Sequence, residues 1–183
     1  FVMLVSLVAS IGLPATACYV IVVSVAAPAL GKIGIIALAT HFFVFWYGCI
    51  SGLTPPVALA SYTAACMAKA DPFKTAFEGL KLATASFIIP FFLVFNTELL
   101  LYGVDSIFQL VATLFKTILS IFAIGISLEG FLYKKIKLYE RVLLFFSVFL
   151  LIQKGKHNII GVLLIILILF INFIKKSKEE SKE

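Results

Sequence analysis

Charge is scarce in this chain: only 13% of its 183 residues are Asp, Glu, Lys or Arg, while 62% are hydrophobic and the mean hydropathy is +1.15. A soluble domain carries about a quarter charged residues. That class is excluded, and the chain reads as an integral membrane protein. A basic n-region is missing too. Phe1 opens inside an apolar run without an initiator Met, so no signal peptide is expected, and the N-terminal part of a longer protein is expected to precede it. Cysteine is sparse: Cys18, Cys49 and Cys66 stand far apart, with no CxxC spacing and no nearby His pair. They read as inert small apolar residues rather than a zinc or redox centre. No GxSxG, HExxH, P-loop or pair of intramembrane aspartates occurs, so neither an enzyme nor a cofactor is expected. The formal charge of +6 does not point to nucleic acid, because Lys and Arg sit at the ends of apolar runs, where topology signals lie.

Proline is infrequent, at six residues, yet two stand side by side in Ser51-Gly52-Leu53-Thr54-Pro55-Pro56, inside a segment that otherwise reads as one membrane helix. Proline has no N–H and its ring clashes with the preceding turn, so the pair must interrupt the helix. Carbonyls freed at membrane depth cannot face lipid; they are buried in protein or line a polar cavity. Secondary transporters build midplane sites from such breaks.

The rest of the chain alternates apolar runs with turns. Residues 1–30 form two apolar arms around Gly12-Leu13-Pro14-Ala15-Thr16, each too short to cross a hydrocarbon core of about 30 Å, so a re-entrant helical hairpin with its tip at Gly12–Thr16 is expected. Residues 35–69 make one discontinuous span broken at Ser51–Pro56. Asp71 is placed as a helix cap with Pro72 at the first helical position, followed by an amphipathic interfacial helix over 73–81 and a span over 82–101 kinked at Pro90. Further transmembrane helices fill 102–174, with 142–174 either two thin spans or one hairpin, and 175–183 is a charged tail expected to be disordered. Lys69, Lys74, Lys81, Lys134, Lys135, Lys137, Arg141 and the tail lysines fall on one side of this alternation, Lys32, Lys154 and Lys156 on the other. The first side is expected to be cytoplasmic.

The two breaks carry the candidate chemistry. A sodium ion takes several oxygen ligands, which an unwound turn supplies from carbonyls and hydroxyls without burying a full charge. An anionic substrate fits the N-terminus of a half-helix. Gly12, Pro14 and Thr16 at one tip, with Ser51, Gly52, Thr54, Pro55 and Pro56 at the other, are the candidate binding and gating residues, with sodium assigned to Ser51, Gly52 and Thr54. The alternative is that each break is a packing kink. His41, among Phe42, Phe43, Phe45, Trp46 and Tyr47, is either a proton relay or gate residue or a packing residue; Lys116 either functions within its span, or snorkels or pairs within the bundle. Asn96, Glu98 and Asp105 read as solvated, and Asn172 as a partner for a neighbouring helix.

Several segments in order, Gly12-Leu13-Pro14-Ala15-Thr16-Ala17, Val25 to Leu30, His41 to Phe45, Ser51 to Ala60 and Ala70-Asp71-Pro72-Phe73, resemble the C-terminal part of tripartite ATP-independent periplasmic (TRAP) transporter permeases. The likeness is dense from Gly12 to Leu101 and is closest to the fused type, whose small and large membrane subunits are one polypeptide. It implies an all-α, polytopic, elevator-type protein of a bacterial or archaeal cytoplasmic membrane. It also implies sodium-coupled import of organic acids delivered by an extracytoplasmic solute-binding protein, with that protein, the remainder of the permease and the lipid bilayer as partners. In that pattern Asn commonly stands where Gly52 is, which removes a side-chain contact but keeps backbone oxygen. A proton-coupled carrier using His41 and a non-transporting scaffold subunit are the rival readings.

Overall fold

The computed structural model describes residues 1–132, 135–153, 155 and 157–180, with side chains to Asn172. Tyr133, Lys134, Lys154, Lys156 and residues 181–183, on which part of the cation count and of the tail rests, lie outside the described residues. The described elements are helical, apart from an isolated bridge between Phe131 and Lys135, and the chain divides into two compact units, Phe1–Leu100 and Leu101–Glu183.

In the first unit α1 (Val2–Ala9) and α2 (Ala15–Gly31) form a helical hairpin around Gly12, whose φ of +83° is open to glycine at no steric cost. Its interior is held by polar atoms. Ser10 Oγ donates to the Ser6 carbonyl at 2.6 Å and lies 3.0 Å from Cys18 Sγ, and the Cys18 thiol donates to the same Ser6 carbonyl at 3.3 Å. All three side chains are fully buried, so Cys18 ties the two arms together instead of being inert filler. Cys18, Val22 and Ala26 then pack against Val44 of α3 (Ala37–Ile50).

After α3 the chain makes a 3₁₀ turn at Ser51–Leu53, leaves helical geometry at Thr54, and resumes as α4 (Leu59–Ala68). Asp71 caps α5 (Pro72–Ala83) by accepting from the Lys74 N–H at 2.8 Å, with Pro72 in the first turn. The amphipathic segment does not stop at Lys81, where the polar pattern of the sequence places its end. No Gly or Pro interrupts 80–89, and the chain runs through a 3₁₀ turn at Thr84–Phe87 into α6 (Ile89–Phe95). Pro72–Phe95, at 24 residues, and Ile107–Glu129, at 23, are the two stretches among the described residues long and apolar enough to cross a membrane; shorter apolar helices include Ala15–Gly31 and Leu59–Ala68. Asn96 and Glu98, expected in solvent, are buried at 1% and 3% exposure because the chain turns back at Thr97–Leu100 against α3 and α6.

The second unit holds α7 (Ile107–Glu129), α8 (Leu138–Ile152) and α9 (His157–Glu180). Thr113, Thr117, Ser120 and Ser127 form a buried small polar stripe along α7, and the Thr113, Thr117 and Ser120 hydroxyls donate back into the helix. Small residues let helices approach closely in lipid. At Gly161 of α9 an added Cβ would lie 3.0 Å from the Ser147 carbonyl of α8. The segment from Lys175, expected as a disordered tail, continues as α9 to Glu180.

Candidate functional site

The break between α3 and α4 is built from residues that cannot continue a helix. Pro55 and Pro56 have no N–H to give the carbonyls of Ser51 and Gly52 four residues back. The peptide between them is cis. Ala58, fully buried, takes a left-handed conformation at φ +38°, a region L-residues seldom adopt. Three bonds fix this geometry: the Thr54 N–H donates to the Ser51 carbonyl at 3.0 Å, the Ala58 N–H to the Thr54 carbonyl at 3.1 Å, and the Tyr62 hydroxyl reaches back to the Pro56 carbonyl at 3.3 Å.

Two hydroxyls stand in the break. Ser51 Oγ donates to the Gly48 carbonyl at 2.6 Å and Thr54 Oγ1 to the Ile50 carbonyl at 3.0 Å. Each proton is directed back into α3, so the oxygen lone pairs are left to accept or to ligate. Ser51, Thr54, Pro55 and Pro56 line a recess of about 170 Å³ whose other wall is Leu7, Val8 and Ile11 of α1 and the turn after it. No titratable group lines it.

The sequence set is therefore divided. Ser51, Thr54, Pro55 and Pro56 share one recess; Gly52 is half-buried beside them but not among its lining residues. Gly12 and Pro14 are exposed in the turn just after Ile11. Thr16 lines a different recess, of about 460 Å³, with Tyr19, Leu38, His41, Phe42 and Phe45. There the Tyr19 hydroxyl and His41 Nδ1 are hydrogen-bonded at 2.7 Å, tying α2 to α3. The start of α2 nonetheless lies close to the last turn of α3, since a Cβ at Gly48 would sit 3.5 Å from the Ala15 carbonyl.

Sequence reasoning missed the α1 wall, because Leu7, Val8 and Ile11 carry no signal beyond hydrophobicity. It also missed the buried Glu98, whose acidic side chain near the end of an apolar run was the available sign. Among the described residues no three His, Cys, Asp or Glu side chains group to hold a metal ion; the polar side-chain atoms at the break are the Ser51 and Thr54 hydroxyls.

A family described as Tripartite ATP-independent periplasmic transporter, DctM component, matches residues 1–108. The match takes in the hairpin, the break and α5–α6. No curated protein and no solved structure matches the chain. With more than half of its length matched, the chain belongs to the DctM family of TRAP transporter permeases.

Proposed function

We propose that this permease couples the import of an organic acid to sodium, and that Ser51, Gly52 and Thr54 at the break form part of the sodium site. Family membership makes the chain an integral membrane transporter component, associated with a solute-binding protein and a small component. Sodium coupling, the organic acid, delivery from outside a bacterial or archaeal cytoplasmic membrane, and an elevator motion with α1–α2 as a re-entrant hairpin are the finer reading.

The observation that carries it is the recess joining the break to α1. It brings two hydroxyl oxygens, with their protons turned away, to a place beside Gly52, whose carbonyl Pro56 has no N–H to serve, and its lining has nothing to protonate. That is ligand chemistry for a hard monovalent cation rather than for a proton. Gly12, Pro14 and Thr16 are assigned to the gating turn at the start of α2, whose N-terminus faces the charge of an anion favourably.

Uptake of labelled organic acids into proteoliposomes holding the assembled permease, with its solute-binding protein, tests this with and without an inward sodium gradient. Uptake should need both. Thr54→Ala should raise the sodium concentration for half-maximal uptake while membrane insertion stays at the wild-type level. Uptake driven by a proton gradient alone would move the coupling to His41; no uptake across a broad acid panel would favour a scaffold subunit.

A further inference from the structure

Two aromatic residues just ahead of the break reach out of α3 to the same short segment. The Trp46 indole N–H donates to the Ser86 carbonyl at 3.0 Å, and the Tyr47 hydroxyl donates to the Phe87 carbonyl. Ser86 and Phe87 lie in the 3₁₀ turn between α5 and α6. Their carbonyls have lost their ordinary partners. Pro90, four residues after Ser86, has no N–H to return, and the Phe91 N–H turns to the Ile88 carbonyl at 3.1 Å. In lipid no water makes up the difference. Trp46 and Tyr47 thus fill the acceptor sites that Pro90 opens, and they do so from a neighbouring helix.

The same pair is rigidly joined to the break. Tyr47 is fully buried, and its ring is wedged among Phe43, Phe87 and Phe91, with centroids 4.9, 6.1 and 6.4 Å away. Its own carbonyl accepts the Ser51 N–H, and the next carbonyl, of Gly48, accepts the Ser51 hydroxyl. A continuous path therefore runs from the Ser86 and Phe87 carbonyls through one turn of α3 to Ser51.

We propose that Trp46 and Tyr47 are positioning residues that fasten the break of α3 to the kink before Pro90, so that the two irregular segments keep one geometry and the kink sets the arrangement of Ser51 and Thr54. The proposal rests on the reading of the break as the sodium site. Losing either tie lets the end of α3 shift against α6, which disperses the oxygens at the break without removing any of them.

The experiment compares wild type, Tyr47→Phe, Trp46→Phe, Pro90→Ala and the Trp46→Phe/Pro90→Ala double variant in the assembled permease, by sodium-dependent uptake, melting temperature and amide hydrogen exchange. Tyr47→Phe keeps the ring and removes only the donor, and an unpaired carbonyl in an apolar site is enough to raise the sodium half-saturation about five- to tenfold, with a smaller change in maximal rate. Exchange at the Thr54 and Ala58 amides should quicken in the same variant. In the double variant the alanine that replaces Pro90 offers its N–H to the Ser86 carbonyl, so the melting temperature lost in Trp46→Phe should return while the sodium half-saturation stays raised. Sodium half-saturation that recovers together with melting temperature would reduce Trp46 to a structural cap and overturn the proposal; so would unchanged exchange at the break in Tyr47→Phe. Should wild-type uptake ignore sodium, the sodium reading falls, and the exchange data alone decide whether the tie exists.

Discussion

Gly130 and Arg141 offer a test of how the second unit ends its longest apolar span. Gly130 closes α7 at φ +70°, and the Arg141 guanidinium lies directly over it: Nε donates to the Ser127 carbonyl and Nη2 to the Leu128 carbonyl, both at 2.6 Å. These carbonyls belong to the last turn of α7 and have no partner within the helix. A Cβ at position 130 would sit 2.8 Å from Arg141 Nη1 and 3.0 Å from Cζ, so Gly130→Ala must push the guanidinium aside as well as strain the backbone. The left-handed conformation costs an L-residue about 1–2 kcal/mol. Two hydrogen bonds from a charged donor are worth about 1.5–3 kcal/mol each. Arg141 is only partly buried, so water replaces some of that; halving the sum leaves about 1.5–3 kcal/mol for the pair. Gly130→Ala should then cost about 2.5–5 kcal/mol and Arg141→Ala about 1.5–3 kcal/mol, while the double variant costs no more than Gly130→Ala alone, because the guanidinium contribution is lost only once. Reversible unfolding in mixed detergent micelles, followed by far-ultraviolet circular dichroism, measures all three. Additive single-variant costs within about 0.5 kcal/mol would refute the reasoning, since independent sites behave that way.

Substitutions at two further positions probe close backbone geometry. Gly161→Leu drives a side chain into Leu151 and the Ser147 carbonyl, each 3.0 Å from the position of an added Cβ, and should weaken the α8–α9 packing by about 1–3 kcal/mol in the same unfolding assay. Ala58→Val places a branched side chain at φ +38° in a fully buried position and should lower stability by about 1–3 kcal/mol, whereas Ala58→Gly should leave the melting temperature near that of wild type.

Where the chain breaks was written in local chemistry. Adjacent prolines stop α3, Gly12 supplies the positive φ that the hairpin turn needs, and Asp71 with Pro72 starts α5; each effect acts within four residues and so shows in the sequence. What the breaks touch was not legible. Ser51 and Ile11 line one recess from far apart in the chain, Trp46 reaches Ser86 across 40 residues, and Cys18 finds Ser6 around a turn. In a lipid-facing chain, outward and inward positions are alike apolar, so the amphipathic stripe that marks the buried face of a soluble helix is absent. Ile21 and Val25 of α2 stay exposed while Val22 and Ala26 are core, and nothing in their chemistry separates them. Helix ends misled in a related way. The polar residues of 73–81 read as a surface helix ending at Lys81, whereas α5 runs to Ala83 and passes through a 3₁₀ turn into α6, because no Gly or Pro stands between Leu80 and Ile89. Glu98 reads as solvated because Glu usually is; only the turn at Thr97–Leu100 takes it inside.

The buried trio of Ser6, Ser10 and Cys18 sets unequal limits on how this hairpin can drift. Along its outer surface, wherever lipid is the neighbour, Leu, Ile, Val and Phe are interchangeable, because hydrocarbon does not distinguish their shapes, and relatives should vary freely at Leu4, Ile21 and Val25. Inside, volume and hydrogen-bonding capacity are both constrained, so Ser, Cys, Ala and Gly are the replacements that fit. A hairpin of this kind keeps its identity in three small residues, and an alignment weighted by hydrophobicity would overlook them.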